Sequence, residues 1–297
     1  MTDKVKIIEV GPRDGLQNEK KPIPVEMKFE MIKKLVDAGL KYIEFSSFVR
    51  GDRIPQLNDA SNLFDLLKAN KVNGNFSALV PNTKGLERAL ACDVDRFAVF
   101  TASSETFNKK NINSTIDESL LLIKEVLTAT KNSSKEVRGY VSTAFGCPYE
   151  GKTQNNEDKV IEICEKLFDW GVDEISIGDT IGVATPLQVK SLIKRLEEKW
   201  DLSRFAMHFH DTYSRALGNV MTSLEYGIRK FDASAGGLGG CPYAHGATGN
   251  LATEDLVHLL DDMGISTGVD LNKLKKATEE IFIFLERQST SKVNLAI

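Results

Sequence analysis

Eight short runs rich in β-branched and aromatic residues recur along the chain, and each of the first seven leads into a stretch with apolar residues at helical spacing. The runs are Lys4–Val10, Tyr42–Ser47, Phe76–Val80, Arg96–Thr101, Val137–Phe145, Glu174–Gly178, Phe205–His210 and Lys230–Ala233. The helical stretches include Met27–Ala38, Ala60–Lys68, Ile116–Thr128, Asp158–Trp170, Leu187–Glu198 and Ala216–Tyr226, with the shortest crossover around Thr83–Ala91. Strand–helix alternation selects the α/β class, and eight units favour a closed (β/α)₈ TIM barrel over an open doubly wound sheet.

Glycines at 39, 171 and 227 follow helical stretches, which suits left-handed C-caps that turn the chain back to the next strand. No Gly/Ser/Pro linker divides the 297 residues, so one catalytic domain spanning 1–297 is expected. A barrel uses about 250 residues, and the segment after Asp255 then supplies closing helices.

The balance of 38 Lys+Arg against 42 Asp+Glu gives a net charge of −4, so there is no bulk positive field to attract nucleic acid or an anionic membrane surface. The chain has no run of 18 apolar residues and no signal or transit pattern at its start, which points to the cytoplasm. Four scattered cysteines form no C-x-x-C pair and read as reduced thiols. Cys92 and Cys164 fall in helical patterns, whereas Cys147 and Cys241 each sit in a Gly-Cys-Pro-Tyr loop and invite a chemical reading.

In a barrel of this kind, chemistry belongs where the C-terminal ends of the strands converge. Arg13 and Asp14 follow the first strand, Glu44 lies in the second, Asp179 and Thr180 end the sixth, and His208 and His210 end the seventh. Period-two alternation points both histidines to one face. With Asp14 brought adjacent by closure, and Asn250 offering an amide oxygen, they compose a nitrogen–oxygen ligand set without thiolate. Such a set favours Mg²⁺ or Mn²⁺ over structural zinc. Asp14 could equally form an Asp-Gly turn, and Asn250 could cap a helix.

Arg13 offers a fixed cation for an enolate or carboxylate oxygen, or else a salt bridge to Glu44. Glu44 and Asp179 stand in apolar strand segments, where burial would raise their pKa and suit one of them to act as a general base. Either could instead orient Arg13 or a ligand. The glycine-rich stretch Gly236–Tyr243, which carries Cys241, reads as a lid bearing a reactive thiol or as a structural turn.

These residues resemble the 3-hydroxy-3-methylglutaryl-CoA lyases, metal-dependent lyases built on TIM barrels. The resemblance is carried by Val10-Gly-Pro-Arg-Asp-Gly-Leu-Gln-Asn-Glu19, Gly146-Cys-Pro-Tyr-Glu-Gly151, Gly178-Asp-Thr-Ile-Gly182, His208-Phe-His-Asp-Thr-Tyr213, Gly237-Leu-Gly-Gly-Cys-Pro-Tyr243 and Gly249-Asn-Leu-Ala-Thr-Glu-Asp255. It implies cleavage of 3-hydroxy-3-methylglutaryl-CoA to acetyl-CoA and acetoacetate, with Asp14, His208, His210 and Asn250 on the metal. It further implies Arg13 at the enolate oxygen, Cys241 as the loop thiol, Glu44 and Asp179 as active-site acids, and substrate contacts from Thr180 and Asn111. The Lys109-Lys110-Asn111 segment would approach the CoA moiety or remain an exposed loop, and a homodimer is expected. Two departures stand out: Ser214 replaces the family's usual glycine, and no cysteine lies beyond Cys241. The rival readings are a Claisen-type synthase acting on a 2-keto acid and a non-catalytic barrel that binds a CoA ester.

Overall fold

The eight β-rich runs become the staves of a closed parallel barrel in the computed structural model, which describes residues 4–151, 156–239 and 249–296. The strands are β1 (Lys6–Glu9), β2 (Tyr42–Ser47), β3 (Asn75–Leu79), β4 (Arg96–Ala102), β5 (Glu136–Ser142), β6 (Glu174–Asp179), β7 (Phe205–Phe209) and β8 (Lys230–Ala233). Each pairs with its successor, and β8 returns to β1 in a register that sets Lys6 beside Lys230.

The outer layer contains α1 (Val25–Asp37), α2 (Ala60–Ala69), α3 (Thr83–Ala91), α4 (Glu105–Ile112), α5 (Ile116–Thr130), α6 (Asn156–Asp169), α7 (Pro186–Glu197) and α8 (Ala216–Glu225). The expected closing helices are α9 (Thr253–Asp262), α10 (Leu271–Leu285) and α11 (Lys292–Ala296). Local chemistry fixes several starts. Thr115 with Glu118, and Thr185 with Gln188, form reciprocal capping boxes at α5 and α7, each satisfying backbone donors that the helix cannot pair itself. The anticipated C-cap glycines 39, 171 and 227 do adopt positive φ, from +94° to +105°.

The strands sort their side chains into two shells. Ile43, Phe45, Phe97, Val99, Val137, Val141, Ile175, Ile177, Phe205, Met207, Phe209 and Phe231 face outward and join the helices in one continuous apolar core. The other face of each strand looks into the lumen. There β5 presents Arg138 and Tyr140, β6 Glu174 and Ser176, β7 His208 and β8 Asp232; Arg138 and Ser176 bond to Asp232, and Tyr140 to Glu44, across strands that are not neighbours, while His208 meets Asp232 on the adjacent strand. Branched apolar residues fill most barrel interiors; this one is lined with charge. No helix of the described residues is long and apolar enough to cross a membrane.

One local reading changes. Lys109-Lys110-Asn111 is the end of α4, not a loop: Ser104 caps the helix by accepting from the Phe107 N–H, and Asn113 closes it in the left-handed region. Ser214 also lies in that region, at φ +56°, with its N–H on the Asp211 carbonyl, a position glycine occupies without steric penalty.

Candidate metal centre and active site

Beyond β1 the chain makes a single π-helical turn, Gly11–Gly15, in which the Gly15 N–H reaches the Val10 carbonyl at 3.2 Å. The widened turn sets Arg13 and Asp14 at the mouth of the barrel. A Cβ at residue 15 would come within 2.9 Å of both Leu238 Cβ and Ser234 Oγ, so only glycine lets this turn pack against the loop after β8. Under the turn, Glu9 accepts the N–H groups of Gly11 and Ala235 at 2.8 and 2.9 Å and the Thr253 hydroxyl at 2.6 Å. Burial raises its pKa to about 7 against the pull of those three hydrogen bonds. Glu9 thus ties the loops after β1 and β8 together.

His208 projects from β7 into the lumen, and His210, one residue past the strand, bridges to Asn250. One ligand atom from each of Asp14, His208 and His210 lies within 4.8 Å of the others. The electrostatics suit a cation. Burial works against an ionised Asp14, but Arg13, the two histidines and a hydrogen bond from Asn250 outweigh it and hold its pKa at about 2. Burial, with His208 adding to it, lowers His210 to about 4 despite Asp14 and Asn250, so its imidazole is neutral, as a metal ligand requires. Asn250 spends its amide N–H groups on Asp14 Oδ2 (2.9 Å) and the Leu238 carbonyl (3.2 Å). That leaves Asn250 Oδ1 and His210 Nδ1 buried without hydrogen-bond partners among the described residues. An orphaned amide oxygen beside two imidazoles and a carboxylate fits a hard divalent cation.

His208 is held from behind. Its Nδ1 lies 3.1 Å from Asp232 Oδ2, and a carboxylate can only accept, so Nδ1 carries the proton and Nε2 remains for a ligand. Burial opposes the charge of Asp232, but Arg138 and His208 overcome this and keep its pKa below the ordinary carboxylate value. Asp232 accepts from Arg138 Nη2 at 2.5 Å and Ser176 Oγ at 2.8 Å. Arg138 Nη1 donates to the Tyr140 hydroxyl at 3.1 Å, and that hydroxyl donates to Glu44 Oε2 at 3.0 Å. Glu44 Oε1 accepts from Arg13 Nε, and Arg13 Nη1 closes on Asp14 Oδ1 at 2.7 Å. One buried circuit therefore joins Asp14 to His208 through the middle of the barrel.

Asp232, Arg138, Tyr140 and Glu9 carry this arrangement but were not singled out from the sequence. The signal was there. Lys-Phe-Asp-Ala, Val-Arg-Gly-Tyr-Val and Lys-Ile-Ile-Glu each place a polar or charged residue within an apolar strand, the same feature that drew attention to Glu44 and Asp179.

The expected site residues are distributed unevenly. Arg13, Asp14, His208, His210, Thr180 and Asn111 line one cavity of about 300 Å³ at the C-terminal mouth, with apolar walls that include Leu79, Phe100 and Phe107. Glu44 is fully buried and does not line this cavity; both its oxygens are engaged, by Arg13 and Tyr140. Asp179 also stands behind the wall. Its two oxygens accept the N–H groups of Val183 and Ala184 at 3.0 Å each, fixing the loop after β6, while burial raises its pKa to about 6. Both carboxylates therefore hold neighbouring groups in place from behind the cavity wall. Cys147 is buried in a closed turn, accepts the Ser104 hydroxyl at Sγ (3.0 Å) and packs on Phe107 and Ala102, which is a structural role. Cys241 lies outside the described residues. A Cβ at residue 249 would come within 1.6 Å of the Gly239 carbonyl oxygen, so the chain on either side of residues 240–248 is pinched together next to Asn250.

The HMGL-like family profile matches residues 4–281. The mitochondrial hydroxymethylglutaryl-CoA lyase of Bos taurus is 48% identical over 290 residues, 97% of this chain and 88% of that protein. Among solved structures, the HMG-CoA lyase of Bacillus subtilis superposes with a TM-score of 0.93 at 44% identity, covering 99% of this chain and 98% of that one. An HMG-CoA lyase from Acinetobacter baumannii, in complex with coenzyme A and 3-methylmalate, gives a TM-score of 0.93 at 34% identity, covering 100% and 96%. The likeness read from the motifs thus extends over the whole barrel and the helices that close it, and the chain belongs to the HMGL-like family.

Proposed function

We propose that this protein is a divalent-metal-dependent carbon–carbon lyase that cleaves 3-hydroxy-3-methylglutaryl-CoA into acetyl-CoA and acetoacetate by a retro-Claisen reaction. The observation that carries this reading is the convergence of Asp14, His208 and His210 at the mouth of a partly apolar cavity with Arg13 on its wall. The substrate class follows from the relatives, named as hydroxymethylglutaryl-CoA lyases, and from the coenzyme A complex of one of them.

Asp14, His208, His210 and Asn250 would hold Mg²⁺ or Mn²⁺, which when bound supplies the Lewis acidity that makes a tertiary hydroxyl easier to deprotonate. The protein's own groups do the rest. Loss of the hydroxyl proton turns the C–O bond into a carbonyl as the C–C bond breaks, and its electron pair passes into the thioester as an acetyl-CoA enolate. Arg13, held in place by Glu44 and Asp14, presents its guanidinium to that developing oxyanion from a site where it needs no reorganisation. Thr180 and Asn111, which line the cavity, would contact the acyl portion. The enolate carbon then takes a proton, which Cys241 would donate, a role that rests on the motif resemblance. Glu44 and Asp179, with their oxygens committed, act as positioning groups, so the base that receives the hydroxyl proton must come from the groups facing the cavity.

Chelation of the purified protein should abolish turnover of 3-hydroxy-3-methylglutaryl-CoA, and Mg²⁺ or Mn²⁺ should restore it. Undiminished turnover after metal removal, verified by elemental analysis, would overturn the metal-dependent reading. No acetoacetate from the fully metal-loaded protein would overturn the substrate.

A further inference from the structure

The N-terminal end of the barrel contains a second cavity, of about 580 Å³, that shares no lining residue with the one at the mouth. Five cationic side chains line it: Lys4, Lys6, Lys41, Arg229 and Lys230. Four hydroxyl-bearing residues, Tyr42, Ser203, Ser266 and Thr267, add hydrogen-bonding groups, and among the described residues no aspartate or glutamate lines its wall.

Most of the cations nearby are answered. Lys230 Nζ meets Glu174 at 2.5 Å, Arg138 Nε lies 3.0 Å from the same carboxylate, and Arg96 pairs with Glu136 at 2.7 Å. Lys6 is different. It has no carboxylate within salt-bridge distance among the described residues, and its ammonium lies 3.8 Å from the centre of the Tyr42 ring. Closure of the barrel sets it directly beside Lys230 on the neighbouring strand. Burial lowers its pKa to about 8, and Arg96, Lys230 and Arg138 lower it further against the attraction of Glu174. A half-buried cation with no direct ion pair, among other cations, destabilises the folded chain unless further negative charge occupies the space.

We propose that this cavity is a binding site for a small polyanion, a molecule bearing phosphate or several carboxylates, with Lys6 and Lys230 as its central contacts. Multiple negative charges would offset the repulsion between the two paired lysines, and the cavity's hydroxyls can donate to the remaining oxygens. The site lies at the opposite end of the barrel from the metal cluster and does not depend on the reaction proposed there.

Competitive labelling of the metal-loaded protein with trace acetic anhydride tests this at Lys6 itself, with modification of each lysine read by peptide mass spectrometry. Three arms at equal ionic strength contain inorganic phosphate, citrate or chloride. Lys6 should label readily in chloride and at least about tenfold more slowly with a bound anion, since each pKa unit restored reduces the neutral amine tenfold. Protection by phosphate alone would identify a phosphoryl ligand, by citrate alone a polycarboxylate, and by both a site that selects charge density; each supports the proposal. Lys6→Met should weaken binding of the protecting anion about tenfold, the scale of one lost charged hydrogen bond. Equal labelling of Lys6 in all three arms would overturn the site, as would undiminished anion affinity in Lys6→Met.

Discussion

The two ends of the barrel lumen are charged in opposite senses. Towards the mouth, Asp14, Glu44 and Asp232 face Arg13 and Arg138, with His210 held neutral, so among the described residues these buried groups carry an excess of negative charge. At the base, Glu174 and Glu136 face Lys6, Lys230 and Arg96, with Lys4 and Lys41 around them, and among the described residues the excess is positive. A chain with a net charge of −4 could have spread its charges evenly over its surface. Instead, each end leaves a residue of one sign that a ligand can balance: a cation above and an anion below. Buried charge without a partner is costly, so an imbalance of this kind marks where a ligand belongs.

The sharpest test of the upper half is Arg13→Gln, which keeps a hydrogen-bonding group but removes the charge aimed at the enolate oxygen. Turnover should fall about 10²–10³-fold with a smaller change in KM, as when one strong oxyanion donor is lost. An effect confined to KM would make Arg13 a ground-state anchor. Asp232→Asn probes the circuit behind the metal ligands, because the amide can donate as well as accept at His208 and no longer neutralises Arg138. Metal affinity, measured by calorimetric titration, should drop about 10–100-fold, the usual effect of removing a carboxylate behind a ligating histidine. Unchanged affinity would show that His208 is oriented by packing alone.

The smallest effect belongs to the base. Lys6→Met should leave kcat and KM at wild-type values, since Lys6 lines the base cavity and that cavity shares no residue with the one at the mouth. Its signature lies in stability. The folded-state pKa of Lys6, about 8, is below its ordinary 10.5, so the unfolded chain binds more protons between these values and the wild type gains stability as pH rises through that window. Denaturant midpoints should show that component in the wild type and not in Lys6→Met. Parallel pH profiles for the two proteins would mean that Lys6 is not electrostatically stressed.

How much of this was legible in the sequence depended on the range of the interaction. The strands and most crossovers follow from local periodicity, and His208-Phe-His210 shows its shared face because alternation is a property of the strand alone. Asp14 was placed correctly beside the histidines once closure was assumed, but its Asp-Gly step read as a turn and not as a π-helical one, because an i→i+5 bond leaves no compositional mark. Helix α4 was missed because Glu105–Ile112 is short and mostly polar, and so shows little apolar periodicity. Arg138 and Asp232 lie 94 positions apart, and their bond exists only because β5 and β8 face each other across the lumen. Asp179 stood out as a buried acid, yet the turn that consumes both its oxygens, at Val183 and Ala184, could not be read from its own strand.

The sorting of each strand into an apolar outer face and a charged inner one restricts how such a gene can change. Because the faces alternate residue by residue, deleting one codon inside β5 or β8 would turn Val137 or Phe231 towards the axis and push Arg138 or Asp232 against the helices. Both shells would fail at once. Length variation among descendants of this chain should therefore collect in the connecting segments, while the strand interiors change by substitution.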